Sequence, residues 1–282
     1  MATLIQPVDT LSNQHSYRHP ARRACIACSQ HLIGTMADDY LGHADEYQEA
    51  KRQPWRTYLE QPSALQLLGD LTDRSVLDLA CGEGYYSRLI RRHGAGSVLG
   101  VDRSSDMVAL AQAQEQRHPE GIVYRVGDAS NLALDQQFDL IFAAYLFNYA
   151  RTRSELEAHC RTISRLLRPG GQLVALNNDP SDPPSNFLTG LPYGFSKHLD
   201  GPLIEGAEIH YRFALEDGGV FELTNYFLSR ALMQDVMEHC GLSDVRWHQP
   251  QLAPEGLKAL GAEYWEAIVA APPFCLIEAR YQ

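Results

Sequence analysis

Residues 75–84 read SVLDLACGEG, and this stretch decides the fold class of the chain. Ser75 to Ala80 is a short apolar run bounded by a turn, which is typical of a buried strand. The glycines of Cys81-Gly82-Glu83-Gly84 allow a tight turn, and a helix is expected directly after it, over residues 85–92. Strand, glycine turn and helix together are the opening of a βαβ unit.

The same alternation continues downstream of this unit. Apolar runs predict strands at 97–101, 122–126, 138–144 and 172–176, and helical patterns fall at 106–117 and 155–167. Thr152 and Glu155 have the spacing of a capping box at the start of the last of these helices. Strands joined by helical crossovers predict an α/β fold with a doubly wound, Rossmann-like parallel sheet.

Composition changes mark the expected domain organisation. An aperiodic N-terminal arm (1–35) precedes a helical lid (36–60) that carries aromatic residues and is interrupted by Pro54. The core (61–178) is followed by a cap insertion (179–228), whose runs 208–215 and 220–227 flank a hairpin signal. A helix at 230–240 and closing strands at 245–248 and 274–279 complete the core sheet, one of them antiparallel. We expect the lid and the cap to close over the ligands, because a doubly wound sheet binds them outside its strand ends.

Charge and composition narrow the classes of partner. The chain has 282 residues, with 24 Lys and Arg against 35 Asp and Glu, which gives a net charge of −11. Such a surface repels phosphate backbones and anionic lipid, so neither nucleic acid nor a membrane is the expected partner. Without a long apolar run or a secretory signal, the expected location is the cytoplasm. Cys25 and Cys28 form one C-x2-C pair without a second, so no metal is expected.

The glycine turn also indicates the kind of ligand. Asp102 lies twenty residues beyond Gly82 and ends the second predicted strand, where a carboxylate can accept both hydroxyl protons of a ribose. A dinucleotide site would have a third glycine where Ser87 stands. The acid Asp78, just before the turn, would repel a pyrophosphate and attract an ammonium group. These residues suit a nucleoside that carries an amino acid.

Five motifs in order resemble those of class I S-adenosylmethionine-dependent methyltransferases. They are VLDLACGEG, the acid Asp102, the pair Gly127-Asp128, FDLIFAAYLFNYA and LLRPGG, and they extend from residue 74 to 176. The resemblance implies S-adenosylmethionine as cofactor. Its methionine end would lie at the turn and the fourth strand, its ribose at Asp102 and its adenine beside the third strand. The implied cofactor residues are Asp78, Ala80, Gly82, Gly84, Asp102, Arg103, Met107, Asp128, Ala129, Ala144 and Tyr145.

A second resemblance concerns the acceptor. YLFNYA, the YGF at 193–195, the NY at 225–226, VRWHQPQL and Tyr264-Trp265 are similar to a natural-product group. That group contains the toxoflavin N-methyltransferase and prenyl-diphosphate C-methyltransferases. It implies a small-molecule acceptor in bacterial secondary metabolism, preferably a heteroaromatic nitrogen or oxygen. Carbon methylation of a prenyl diphosphate, with or without cyclisation, is the alternative. A non-catalytic cofactor-binding regulatory protein is an alternative of another class.

Aromatic residues on the segments expected above the strand ends are the candidates for acceptor binding. Their rings can stack on a flat heterocycle or stabilise a carbocation. The candidates are Tyr47, Trp55, Tyr149, Tyr193 and Tyr226. His198 is the candidate catalytic base, since its pKa allows proton uptake near neutrality, and Tyr40 is expected to orient it.

Overall fold

The computed structural model describes residues 53–215 and 218–282. The arm, the part of the lid before residue 53, and Glu216-Asp217 in the hairpin turn lie outside the described residues. The strands in chain order are β1 (Ser75–Leu79), β2 (Ser97–Asp102), β3 (Val123–Val126), β4 (Phe138–Ala144), β5 (Leu167–Asn178), β6 (Phe195–Leu199), β7 (Glu208–Ala214), β8 (Val220–Tyr226), β9 (Leu242–His248) and β10 (Phe274–Tyr281).

Helices alternate with these strands. They are α1 (Gln61–Leu68), α2 (Tyr85–Arg92), α3 (Ser105–Arg117), α4 (Arg153–Leu166), α5 (Arg230–His239) and α6 (Pro254–Ala270), with a π-helical turn (Arg56–Glu60) leading into α1. No helix within residues 53–215 and 218–282 is long and apolar enough to cross a membrane.

Seven strands form one sheet in the order β3-β2-β1-β4-β5-β10-β9. β1 pairs in parallel with both β2 and β4, whereas β10 runs antiparallel to β5 and β9. The predicted doubly wound sheet with an antiparallel closing strand is therefore confirmed. The strand order reverses between β1 and β4, and this switch point is where such sheets leave a crevice for ligands.

Both faces of the sheet are covered, as a parallel sheet requires. Alternate residues of β4 enter different apolar clusters: Leu140 and Phe142 face one cluster, and Ile141 and Ala143 face the other. Every one of these four side chains is fully buried. The two apolar layers fix the sheet, so the loops at its carboxyl edge are held at defined positions.

Side-chain caps fix the helices beside the crevice. Thr152 Oγ1 accepts from Glu155 N at 3.3 Å at the start of α4, as the sequence predicts. The Glu155 carboxylate turns back to the backbone N–H of Arg151 at 2.7 Å, one residue before the position that a capping box uses. Ser104 caps α3 by accepting from Met107 N at 3.3 Å.

A separate three-stranded antiparallel sheet, in the order β6-β7-β8, forms the cap. The predicted hairpin is its β7–β8 pair. β6 was not expected, because it lies in a segment rich in Pro, Asp and Gly, and pairing with β7 stabilises it there. Lys197 of β6 donates to Asp182 at 2.6 Å, and this buried ion pair ties the cap sheet to the loop that follows β5.

At Pro54 and in residues 254–270 the structure adds to the sequence analysis, which expected an interruption at Pro54 and assigned no element to 254–270. The helical stretch begins at Pro54 and runs through to Leu68, so the expected lid boundary at residue 60 falls inside it. Proline is tolerated in the first turn of a helix, where its missing N–H would have no partner. The missed helix α6 is interrupted at Gly261, whose φ is 77°.

Candidate active site

The glycine turn has the unusual backbone that the sequence indicates. Ala80, Gly82 and Gly84 follow β1 with φ values of 67°, 55° and 83°. A left-handed conformation is costly for alanine, and such strain clusters at functional sites. At Gly84 an added Cβ would lie 2.4 Å from the Tyr124 hydroxyl oxygen, so this glycine permits helix α2 to approach β3. A side chain at position 84 would therefore clash with Tyr124, which is a packing reason for a glycine at this position.

Asp102 joins the glycine turn to the second strand. One of its carboxylate oxygens accepts from the Gly82 N–H at 2.8 Å, and the other accepts from the Ser104 N–H at 2.9 Å. These bonds hold the carboxylate at the carboxyl edge of the sheet, between the ends of β1 and β2. Each carboxylate oxygen can accept more than one proton, so Asp102 keeps acceptor capacity for a ligand.

A large cavity of about 450 Å³ opens beside this turn. All the predicted cofactor residues except Asp78 and Gly84 line it: Ala80, Gly82, Asp102, Arg103, Met107, Asp128, Ala129, Ala144 and Tyr145. They come from the ends of β1, β2 and β4, from the loops after β2 and β3 and from the first turn of α3. The structure therefore brings together residues that are as far as 65 positions apart in the chain.

Asp78 lies beneath the turn and not in the wall of the large cavity. Its side chain is fully buried, and Ser87 Oγ of α2 donates to it at 2.5 Å. The carboxylate links β1 to the first turns of α2. This bond helps to hold the glycine turn, and the contact of Asp78 with the methionine end of the cofactor stays a prediction.

Helix α4 supplies a wall of the large cavity that the sequence analysis missed. Ser154, Glu155, Ala158 and His159 share one helix face and line the cavity. Their spacing of three to four residues was the available signal, but nothing in the sequence says that this face turns towards a ligand.

Two titratable groups that line the large cavity, His159 on α4 and Asp128 after β3, have shifted pKa values. Burial lowers the pKa of His159, although Asp128 and Glu155 act in the opposite direction, so the imidazole is neutral at pH 7. Burial tends to raise the pKa of Asp128, but hydrogen bonds from Ser130 and the charge of Arg103 outweigh it, and the pKa is lowered. The wall of the large cavity thus carries a charged hydrogen-bond acceptor, the Asp128 carboxylate, and the neutral imidazole of His159.

A small cavity of about 60 Å³ adjoins the large one. Tyr145 and Tyr149 line both. The other residues of its wall are mostly aromatic or amide side chains: Trp55, Arg56, Asn178, Phe195, Tyr211, Phe213, Leu223, Asn225, Pro273 and Phe274. The wall therefore combines the helical stretch before α1, the cap sheet and β10.

Two buried polar atoms in the wall of the small cavity have no hydrogen-bond partner within the described residues. They are Trp55 Nε1 and Tyr211 Oη, and their side chains belong to residues that are 4% and 5% exposed. An unsatisfied buried donor costs about 1–3 kcal/mol. The small cavity is therefore suited to a ligand that offers hydrogen-bond acceptors.

A buried carboxylate lies behind Tyr145. Glu60 is 1% exposed and accepts from Tyr86 Oη at 2.6 Å, from Arg56 at 3.0 Å and from the Tyr145 hydroxyl. Tyr145 itself has a φ of 62°, which is a genuine outlier for a bulky residue. Burial and the adjacent Glu60 raise the pKa of Tyr145 well above its ordinary value, so it stays protonated.

The remaining acceptor candidates occupy different places. Trp55 and Tyr149 line the small cavity, and Tyr226 lines a third cavity of about 20 Å³ that also borders Lys197. Tyr193 lies in the core, where its hydroxyl donates to Tyr264 O at 2.6 Å and accepts from Ile268 N at 3.1 Å. These two bonds hold Tyr193 against α6. Tyr193 lines neither the large nor the small cavity.

The candidate catalytic pair is not assembled by the described residues. His198 lies on the outer face of the cap sheet with its side chain 63% exposed, and its Nε2 lies 2.8 Å from Asp200 Oδ1. Strand alternation explains this position, because the neighbouring Lys197 takes the inward one. Tyr40, Tyr47 and the pair Cys25/Cys28 lie outside the described residues.

Comparisons with known proteins agree with this geometry. Residues 76–171 match the family model of a methyltransferase domain. The demethylmenaquinone methyltransferase of Thermotoga maritima is 34% identical over 50% of this chain and 59% of its own length. The ubiquinone/menaquinone biosynthesis C-methyltransferase of Desulfotalea psychrophila is 28% identical over 73% of this chain and 78% of its own.

Among solved structures, an S-adenosylmethionine-dependent methyltransferase from Mesorhizobium loti superimposes with a TM-score of 0.55. It is 23% identical, with 78% of this chain and 96% of that one covered. The chain therefore spans less than two thirds of the Thermotoga relative and most of the Mesorhizobium fold. The match confirms a methyltransferase domain within the predicted range of residues 74–176.

Proposed function

We propose that the chain is a class I S-adenosylmethionine-dependent methyltransferase that methylates a nitrogen or oxygen of a small heteroaromatic molecule, with the methyltransferase domain over residues 76–171 in support. The observation that carries this proposal is the junction of the two cavities at Tyr145 and Tyr149. A methyl donor in the large cavity would present its sulfonium towards an acceptor in the small one. Methyl transfer needs such an in-line arrangement and exclusion of water.

The cofactor residues take roles that follow from their positions. Asp102 would bind the ribose hydroxyls, and Met107, Asp128 and Ala129 would surround the adenine. Ala80, Gly82 and Ala144 would border the methionine end, where the backbone at Gly82 allows close approach. The cofactor supplies an electrophilic methyl group, and the protein supplies its orientation.

The unsatisfied donors favour a heteroaromatic acceptor over a prenyl diphosphate. Ring nitrogens or carbonyl oxygens would accept from Trp55 Nε1 and Tyr211 Oη, whereas a hydrocarbon chain would leave both donors unpaired. The charged side chains near the small cavity are already paired with buried carboxylates: Arg56 with Glu60 and Lys197 with Asp182. Neither is placed as a dedicated diphosphate ligand.

Tyr145 and Glu60 can accept the proton that the acceptor loses on methylation. S-adenosylmethionine, when bound, would supply the methyl group and keep the electron pair of its C–S bond, and the acceptor heteroatom would form the new bond to the methyl carbon. The proton of that heteroatom passes to Tyr145 Oη, while the phenolic proton passes along its hydrogen bond to Glu60. The phenol stays neutral overall, in agreement with its raised pKa.

Two other acceptors remain as second candidates. The names of the relatives suggest carbon methylation of a quinol, whose flat ring and hydroxyls also fit an aromatic wall with unsatisfied donors. The aromatic wall is likewise able to stabilise the carbocation of a methylated prenyl diphosphate. Nucleic acid is not proposed, because the net charge of −11 opposes a phosphate backbone.

The test is mass spectrometry of products formed from S-adenosylmethionine with a labelled methyl group. Separate incubations contain azapteridine-type heterocycles, a demethylated naphthoquinol, farnesyl diphosphate and transfer RNA. We expect label on a heterocycle nitrogen or oxygen. Label only on the quinol or the prenyl carbon would replace the proposed acceptor, and label only on RNA would refute a small-molecule acceptor. Binding of S-adenosylhomocysteine without any product would favour a regulatory protein.

A further inference from the structure

Helix α4 carries a pair of thiols directly behind the wall of the large cavity. Cys160 is fully buried on α4, and Cys240, at the end of α5, is partly exposed. The two side chains are hydrogen-bonding partners. Cys240 is also held against α4 by its backbone carbonyl, which accepts from Ser164 Oγ at 2.7 Å, and by its Sγ, which donates to Glu157 O at 3.8 Å.

Cys160 directly follows, in sequence, two residues that line the large cavity. Ala158 and His159, which line the large cavity, immediately precede Cys160. A covalent bond at Cys160 must bring its sulfur to about 2.05 Å from its partner, with a restricted dihedral angle. Because interiors are close-packed, the turn of α4 that holds Ala158 and His159 must adjust with it.

We propose that Cys160 and Cys240 are a redox modification site, and that a disulfide between them weakens cofactor binding in the large cavity. The oxidant is a low-molecular-weight disulfide. The inference rests on the proposed function only in taking the large cavity as the cofactor site.

The exchange balances in two steps. The Cys240 thiolate attacks one sulfur of the small disulfide, which releases one small thiolate and leaves a mixed disulfide on Cys240. Cys160 then loses its proton, attacks the Cys240 sulfur and releases the second small thiolate. Two protein thiols are oxidised, and one small disulfide is reduced to two small thiols.

The surroundings of the two thiols indicate which one attacks the small disulfide and which one closes the protein disulfide. The hydrogen bond from Cys160 lowers the pKa of Cys240 to about 7; burial and Glu157 oppose this shift, and Arg161 and His239 reinforce it. The same hydrogen bond and burial raise the pKa of Cys160 well above its usual value. Cys240 is thus the exposed nucleophile and Cys160 the resolving thiol. Burial raises the pKa of Cys275, so this thiol is a poor nucleophile towards the small disulfide.

The experiment treats the full chain, with Cys25 and Cys28 changed to serine, with oxidised glutathione. Intact mass and free-thiol counts follow the disulfide, and calorimetry with S-adenosylhomocysteine follows the large cavity before oxidation, after it and after dithiothreitol. We expect the protein to lose two hydrogens and two thiols, faster as the pH rises through about 7, because the thiolate is the nucleophile. Affinity is expected to fall about tenfold, within the usual range of coupling between sites, and to recover on reduction.

The matched control is Cys240→Ser, which removes the partly exposed thiol and leaves the buried one in place. It should form no intramolecular disulfide and keep its affinity after the same treatment. Retention of both thiols by the parent protein, or a disulfide without a change in affinity, would overturn the proposal. If untreated protein does not bind S-adenosylhomocysteine, the cofactor assignment fails, while the mass measurement still decides whether the disulfide forms.

Discussion

The large cavity takes its wall from the ends of β1, β2 and β4, the loops directly after β2, β3 and β4 and the first turn of α3, with one added face of α4. The small cavity takes side chains from the stretch before α1, from all three strands of the cap sheet and from β10. The first is fixed mainly by backbone geometry, including left-handed turns at Ala80 and Gly82. The second is fixed by packing of side chains from distant segments. We therefore expect substitutions in the two walls to separate cofactor binding from acceptor use.

The largest expected effect is that of Asp102→Ala on the large cavity. The variant loses both carboxylate oxygens, together with the bonds from Gly82 N and Ser104 N that hold the turn. Calorimetry with S-adenosylhomocysteine should show at least about 100-fold weaker binding, or ~2.7 kcal/mol. Asp106→Ala, an exposed acid in the first turn of α3, is the control and should bind normally. Equal affinity of the Asp102 variant and the parent would remove Asp102 from the cofactor site.

Tyr145→Phe tests the junction between the cavities. Loss of the hydroxyl breaks the proton path to Glu60, so kcat should fall about 100-fold, with affinity for S-adenosylhomocysteine within about threefold. Tyr86→Phe is the matched control, because Tyr86 also donates to Glu60 but lines neither cavity. Steady-state kinetics that show equal losses for both variants would point to a structural role of Glu60 and not to a relay.

Tyr211→Phe tests the small cavity with the removal of one atom. If the acceptor bonds to Tyr211 Oη, its KM should rise about tenfold, or ~1.4 kcal/mol, while the cofactor affinity stays unchanged. Tyr281→Phe, at the end of β10 and outside the wall of either cavity, controls for a general effect of losing a tyrosine hydroxyl. A lower KM would mean that the unsatisfied hydroxyl opposes the acceptor.

The smallest expected effect is that of His198→Ala. The ring is exposed and bonded to Asp200, so kcat should stay within about twofold of the parent. The same kinetic assay as for Tyr145 measures it. A loss as large as that of Tyr145→Phe would instead support the Tyr40–His198 pair that the sequence suggests.

Sequence patterns were sufficient for the large cavity because its determinants are local. The glycine turn follows β1, Asp102 ends β2 and Asp128 lies just after β3, and parallel strands bring their carboxyl ends to one edge. What was missed there, the face of α4 with His159, depends on how a helix is rotated against the sheet. The sequence also could not show that Ser87 of α2 donates to one oxygen of the Asp78 carboxylate.

Of the small cavity, sequence patterns indicated only Trp55, Tyr145 and Tyr149, because the other determinants are tertiary. A one-residue change of register exchanges the two faces of a strand, so pairing decides that Lys197 is buried and His198 exposed. Tyr193 and Trp55 are both aromatic and buried, yet only Trp55 borders the cavity. Glu60 carries no motif, and its importance follows from the two tyrosines that reach it across the fold.

The most direct test of the account is a crystal structure of the protein with S-adenosylhomocysteine. We predict the ribose hydroxyls within about 3.2 Å of the Asp102 carboxylate oxygens and the adenine between Met107 and Ala129. The homocysteine sulfur should lie at the junction lined by Tyr145 and Tyr149, open towards the small cavity. A nucleoside bound in any other cavity, or a sulfur facing away from that junction, would contradict the two-cavity account.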